Sequence, residues 1–134
     1  MLVLDTSAAS AVMHGIATAI DRLMLERPDQ VIIVAPVAAE IRFGLERLPR
    51  SRRRRLLEAE YQRLRGVLRW EDWTEDAAYE FGRQKAQLTA RGAPIEDFDI
   101  AIGASAIVLG ARLATLNVKH MARLTGLRVE DWSV

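Results

Sequence analysis

The stretch VIIVAPVAAEIRFGLERLP, residues 31–49, changes its period within a few positions. Val31 to Val34 is an unbroken β-branched run, too short for a helix, and predicts a buried strand. Pro36 then stands where the first helical turn accepts a residue without an N–H. Ile41, Leu45 and Leu48 recur at helical spacing until Pro49 stops the pattern. A strand that passes directly into a helix is half of a βαβ unit, and the order recurs on either side. Met1 to Leu4 reads as a strand ending at Asp5, with Thr6 and Ser7 as capping residues, and Ile16, Ile20 and Leu23 mark a helical face between Ile16 and Arg27. Downstream, Arg52 to Leu64 reads as an arginine-rich helix and Val67 to Trp70 as a small strand. Thr74 caps a helix with Ala78, Phe81 and Leu88 on its apolar side, and Ile100 to Ala111 is a core helix. Leu113 to Leu116 and Leu127 to Val129 read as the last strands. No Asn-Gly or Asp-Gly hairpin turn appears. The expected architecture is therefore α/β, one domain over residues 1–134, with a parallel sheet flanked by helices on both faces.

Composition bounds the function. Half of the residues are hydrophobic and 28% are charged, as in a packed protein rather than a disordered one. There is no cysteine, which excludes thiolate metal sites, disulfides and cysteine nucleophiles. The run from Ile100 to Ala111 falls short of the roughly 20 residues a membrane span needs, and MLVLD carries no basic leader, so the expectation is a cytoplasmic protein that enters no membrane. Net charge is only +1, so any attraction to nucleic acid must be local. The local candidate is Arg50 to Arg55. Its arginines either meet phosphates, with Arg52, Arg53 and Arg54 foremost, or solvate a helix face balanced by Glu58 and Glu60.

Ligands of parallel sheets bind at the carboxyl ends of the strands, and acids collect at such junctions here. Asp5 ends the first strand, Glu40 lies on the helix after the second, Asp97 and Asp99 open the late helix, and Asn117 follows a strand near the end. Carboxylates brought together repel one another unless a cation favours their ionised forms. With no cysteine, and with His14 and His120 far apart, an oxygen-only donor set points to Mg2+ or Mn2+. Each acid also has a purely structural reading. Asp5 and Asp97 could cap the helices that follow them, Asn117 could form a turn, and Glu40 could pair with Arg42 or Arg47. An aspartyl-phosphate phosphatase would want a second aspartate where Ser7 stands.

LDTSA at Leu4 to Ala8, AAEIRFGL at Ala38 to Leu45, IEDFDIAIGASA at Ile95 to Ala106 and ATLNVKHMARLTGLRVEDW at Ala114 to Trp132 together resemble the PIN-domain ribonucleases, in particular the VapC-type toxins of toxin–antitoxin pairs. The resemblance covers essentially the whole length. It implies a metal-dependent endoribonuclease with Asp5, Glu40 and Asp99 as catalytic and metal-binding acids, Thr6 and Ser7 orienting the ligands, and Asp97 and Asn117 in support. It also implies a homodimer, a cognate antitoxin that wraps the chain, and structured RNA such as tRNA as substrate. Asn117 in place of a fourth acid favours a single ion. The alternative is a catalytically silent domain of the same fold that binds RNA or a partner. Gly103, where relatives often carry alanine, costs up to about 1 kcal/mol inside a helix unless something packs closely against it.

Overall fold

Leu2, Val3 and Leu4 have no solvent exposure and form β1 (Leu2–Leu4), the middle strand of a five-stranded sheet. A computed structural model describes every residue from Met1 to Val134. After β1 come α1 (Thr6–Met13), α2 (Ala17–Met24), a short 3-10 turn at Pro28–Gln30, β2 (Val31–Val34) and α3 (Ala35–Glu46). The chain continues through α4 (Arg52–Val67), β3 (Arg69–Glu71), α5 (Glu75–Ala90) and α6 (Asp97–Leu109). It closes with β4 (Arg112–Thr115), α7 (Val118–Met121) and β5 (Val129–Asp131). Every strand pair is parallel, in the order β3-β2-β1-β4-β5. Successive strand side chains point to opposite faces, so complete burial of β1 and β2 means that both faces are covered, as expected for a parallel sheet.

The chain first builds outward from β1 through β2 to β3, then returns to add β4 on the other side of β1. The reversal opens a crevice between the carboxyl ends of β1 and β4, the place where such sheets bind ligands. Helix α6 runs beside it. Ile100 through Ala106 are all buried, which accounts for the long apolar run, and Gly110 at φ 66° ends the helix so that Ala111 N–H returns to Ala106 C=O at 2.9 Å. Gly103 is explained by packing. A Cβ there would collide with the Leu124 side chain and touch Leu127 at 3.4 Å and Met121 at 3.5 Å.

Several boundaries differ from the sequence expectation. Helix α4 continues through Val67, so the third strand is Arg69–Glu71 rather than Val67 to Trp70, and the last strand is Val129–Asp131, aligned by its ladder with Leu113 to Thr115. Asp5, not Thr6 or Ser7, caps α1, and Glu96 rather than Asp97 holds the cap position of α6, without a side-chain bond. On α5 the inward face is Ala77, Gln84 and Leu88, whereas Ala78 is exposed. Gln84 is fully buried because its amide donates to Thr125 O at 2.8 Å and accepts from Thr125 N at 3.0 Å, satisfying both ends. No helix is long and apolar enough to cross a membrane.

Candidate active site

Asp5 is held at the crevice by the backbone. Its N–H donates to Ala114 O on β4 at 3.0 Å, and as the N-cap of α1 its Oδ1 accepts from Ala8 N at 2.9 Å. Ser7 adds a second bond, donating from Oγ to Asp5 Oδ1 at 2.6 Å while accepting from Leu116 N at 2.9 Å. Asp5 is only 4% exposed, and burial raises its pKa; the hydroxyls of Ser7 and Thr115 and the Ala8 N–H offset part of that rise. The cap reading and the site reading of Asp5 are thus compatible, since capping aims the carboxylate at the crevice.

Glu40 enters from α3 and is half-buried. Thr6 Oγ1 donates to its Oε1 at 2.5 Å, tying α1 to α3. The surface pairing open to Glu40 in the sequence is not made. Arg42 instead grips Glu58 with two bonds at 2.7 and 3.0 Å and pairs with Glu46, and Arg47 lies over the Phe43 ring. Asp99, in the first turn of α6, is also half-buried. Burial raises its pKa first, then the like charges of Glu40 and Asp5, while His120 works in the opposite direction. Three carboxylates from β1, α3 and α6 therefore share one field.

None of these three acids has a basic partner within ion-pair distance, although Glu26, Glu46, Glu58 and Glu130 all do. Asp131, the other inward acid without one, is satisfied by the Ser133 N–H and hydroxyl at 2.8 and 2.6 Å. No three Asp, Glu or His side chains are grouped tightly enough in the present conformers to enclose one ion. The two observations differ in range: charge repulsion acts across a crevice, whereas ligands of one Mg2+ lie about 2.1 Å from it. The donor chemistry fits a hard cation, being all oxygen, negatively charged and free of competing lysine or arginine.

The flanking candidates divide. Asp97 is exposed and bound by Lys85 Nζ at 2.9 Å, a bridge from α5 to α6 that occupies its carboxylate. Asn117 caps α7 in position only; its N–H donates to Thr115 Oγ1 at 2.9 Å and its amide nitrogen lies 2.8 Å from His120 Nδ1. The arginine run also splits. Arg54 is a strut, donating to Leu48 O at 3.0 Å and Glu46 at 3.1 Å, whereas Arg52 and Arg53 are exposed and unpaired and Arg53 faces the crevice side. Glu60 does not balance this run, since it serves Arg63, whereas Glu58 is gripped by Arg42 and also feels the charge of Arg54. Sequence reasoning missed Thr115, a fully buried hydroxyl at the end of β4 that acts on Asp5, and His120, which faces Asp99. Their signal is positional: a hydroxyl on the last residue of a strand, and a histidine one turn after Asn117.

Comparison with known proteins agrees with this fold. The family profile described as PIN domain matches residues 2–127. The tRNA(fMet)-specific endonuclease VapC of Shigella flexneri is 37% identical over 62 residues, 46% of this chain and 47% of that protein, so the match spans about half the length of that curated relative. Ribonuclease VapC2 of Rickettsia felis is 24% identical over 109 residues, 81% of this chain and 79% of the relative. Among solved structures, VapBC2 from Rickettsia felis, bound to a DNA fragment from its promoter, superposes with a TM-score of 0.87 at 22% identity over 98% of both chains.

Proposed function

The chain belongs to the PIN domain family, and on that premise we propose that it is a metal-dependent endoribonuclease, the toxin of a toxin–antitoxin pair, whose acidic centre is Asp5, Glu40 and Asp99. The observation that carries the proposal is the set of three inward carboxylates at one sheet crevice. They lack any cationic partner, and two of them are oriented by donated hydroxyls. Structured RNA such as tRNA is the proposed substrate class, supported by the relative from Shigella flexneri. A cognate antitoxin and a second copy of the chain are the proposed partners.

Asp5, Glu40 and Asp99 would hold a single Mg2+ or Mn2+, and Asn117, which precedes α7, would supply a further neutral oxygen donor. When bound, such an ion polarises a phosphodiester and stabilises the charge that builds on it. The residues of the chain do the rest. Ser7 and Thr6 keep Asp5 and Glu40 aimed into the crevice, so that little reorganisation is required when the phosphate arrives. Asp99 accepts no hydrogen bond within the fold, whereas hydroxyls occupy Asp5 and Glu40, which leaves it the carboxylate free to take a proton from the attacking water. The new P–O bond forms as the bond to the 3′ oxygen breaks, leaving a 5′ phosphate and a 3′ hydroxyl that acquires its proton from solvent.

The test is cleavage of a folded tRNA by the purified chain with Mn2+ or Mg2+. Activity should vanish on chelation and in both Asp5→Asn and Asp99→Asn, with the circular dichroism spectrum preserved. Full activity in the two variants would remove the acids from the chemistry. A chain that binds RNA and never cuts it would favour the silent-domain alternative.

A further inference from the structure

Beside the acids lies a groove of about 380 Å³ that begins at Thr6 and Glu40 and ends under the start of α4 at Arg53. Its character is mixed in a particular way. Phe98 at 51% exposure and Phe43 at 67% exposure present aromatic surface to it, the Arg47 guanidinium lies 5.6 Å from the centre of the Phe43 ring, and Arg53 stands on the rim. Neither Arg47 nor Arg53 meets a carboxylate, whereas Arg42 and Arg54, nearby on α3 and α4, both do. Gly44 is the third feature. It lies within α3, where glycine is a poor helix former, and a Cβ there would touch no protein atom within 4 Å. Packing does not require glycine at this position as it does at Gly103. The missing side chain leaves the groove open.

Flat apolar surface, two free guanidiniums and continuity with the acids describe an occupant with a ring face and a negative charge. We propose that this groove is a nucleotide subsite, in which the base next to the scissile phosphate stacks on Phe98 and its phosphate is met by Arg53 and Arg47, so that the groove selects where the RNA is cut. The inference rests on the nuclease reading and adds to it the residues that set the cleavage position. An extended protein segment is the competing occupant. It would use the phenyl rings, and acidic side chains on it would meet the guanidiniums as phosphates do; continuity with the acids that would hold a phosphate-bridging Mg2+ is what favours RNA.

The experiment measures binding and cutting separately. Fluorescence anisotropy of a labelled single-stranded hexaribonucleotide is recorded with Mg2+ on the full chain carrying Asp5→Asn, which prevents cleavage. Phe98→Ala should weaken binding about fivefold or more, the loss of one stacked base. Gly44→Leu should do the same by filling the groove, and Arg53→Ala should lower the slope of log affinity against log salt by about 0.7. In the active chain, Phe98→Ala and Gly44→Leu should redistribute the cut sites on a mixed RNA pool. Unchanged RNA affinity and cut sites in both variants would overturn the subsite, as would an acidic amphipathic peptide whose binding alone is lost in Gly44→Leu. No binding by the parent chain would overturn it as well. If the variants weaken binding while the wild-type chain cuts nothing, the groove stands and the nuclease reading fails.

Discussion

Replacing Ser7 with alanine should destabilise the protein in a manner that reports the charge on Asp5. The hydroxyl donates to the buried Asp5 Oδ1 at 2.6 Å and accepts from Leu116 N at 2.9 Å. A hydrogen bond to an ionised, buried carboxylate contributes about 1.5 to 3 kcal/mol net. The Leu116 N–H lies at an exposed residue and can be taken over by water, so it adds little. The expected loss is about 2 kcal/mol at neutral pH, equivalent to a fall in Tm of about 7 °C for a chain of this length. The sign of the pH dependence follows from linkage. Burial has already raised the Asp5 pKa and Ser7 pulls it back, so Ser7→Ala raises it further. The variant therefore takes up its proton at higher pH than the wild type, and the gap between them narrows as pH falls through the two native values. Urea unfolding in chelator at pH 7.5 and pH 4 measures both quantities. An equal loss at the two values would show that Ser7 acts by packing alone. So would a Ser7→Ala effect undiminished in an Asp5→Asn background, since a double-mutant cycle must show coupling if the two groups act as a pair.

Gly44→Ala and Gly103→Ala, identical changes within two helices, should have opposite signs. The first should stabilise by up to about 1 kcal/mol through helix propensity, while the second should destabilise by about 1 kcal/mol because its Cβ meets the buried Leu124, and thermal melts of the pair decide it. Asp99→Asn should melt above the wild type at pH 7 in chelator. Burial and the charges of Glu40 and Asp5 raise the native pKa above 3.8, so the folded wild type binds more protons than the unfolded chain in that window and loses stability as pH rises through it; the advantage of the variant should disappear at low pH. Adding Mg2+ should raise the melting temperature of the wild type and not of Asp99→Asn, and equal shifts would remove Asp99 from the ion.

Where a signal was local, the chain order carried it. Pro36 and Pro49 bracket α3 as their missing N–H groups require, the apolar run of α6 is buried as its composition demands, and Asp5 directly follows β1 as the short run before it implies. Helix faces were less legible. Gln84 looks like a surface residue until Thr125, far along the chain, offers it both a donor and an acceptor. The arginines after Pro49 look equivalent, yet Arg54 is consumed by Glu46 and Leu48 while Arg53 is left at the groove.

The order of strands and helices, the absence of thiol chemistry and the acids at strand ends follow from residue types and spacing alone, because periodicity and backbone chemistry act over a few positions. Which acids remain free does not follow from spacing. Asp97 and Asp99 are two residues apart, but Lys85 reaches only Asp97, and Asp99 is left with Glu40 and Asp5. Ion pairing is settled by distance in space, and only the folded sheet and its helices set those distances.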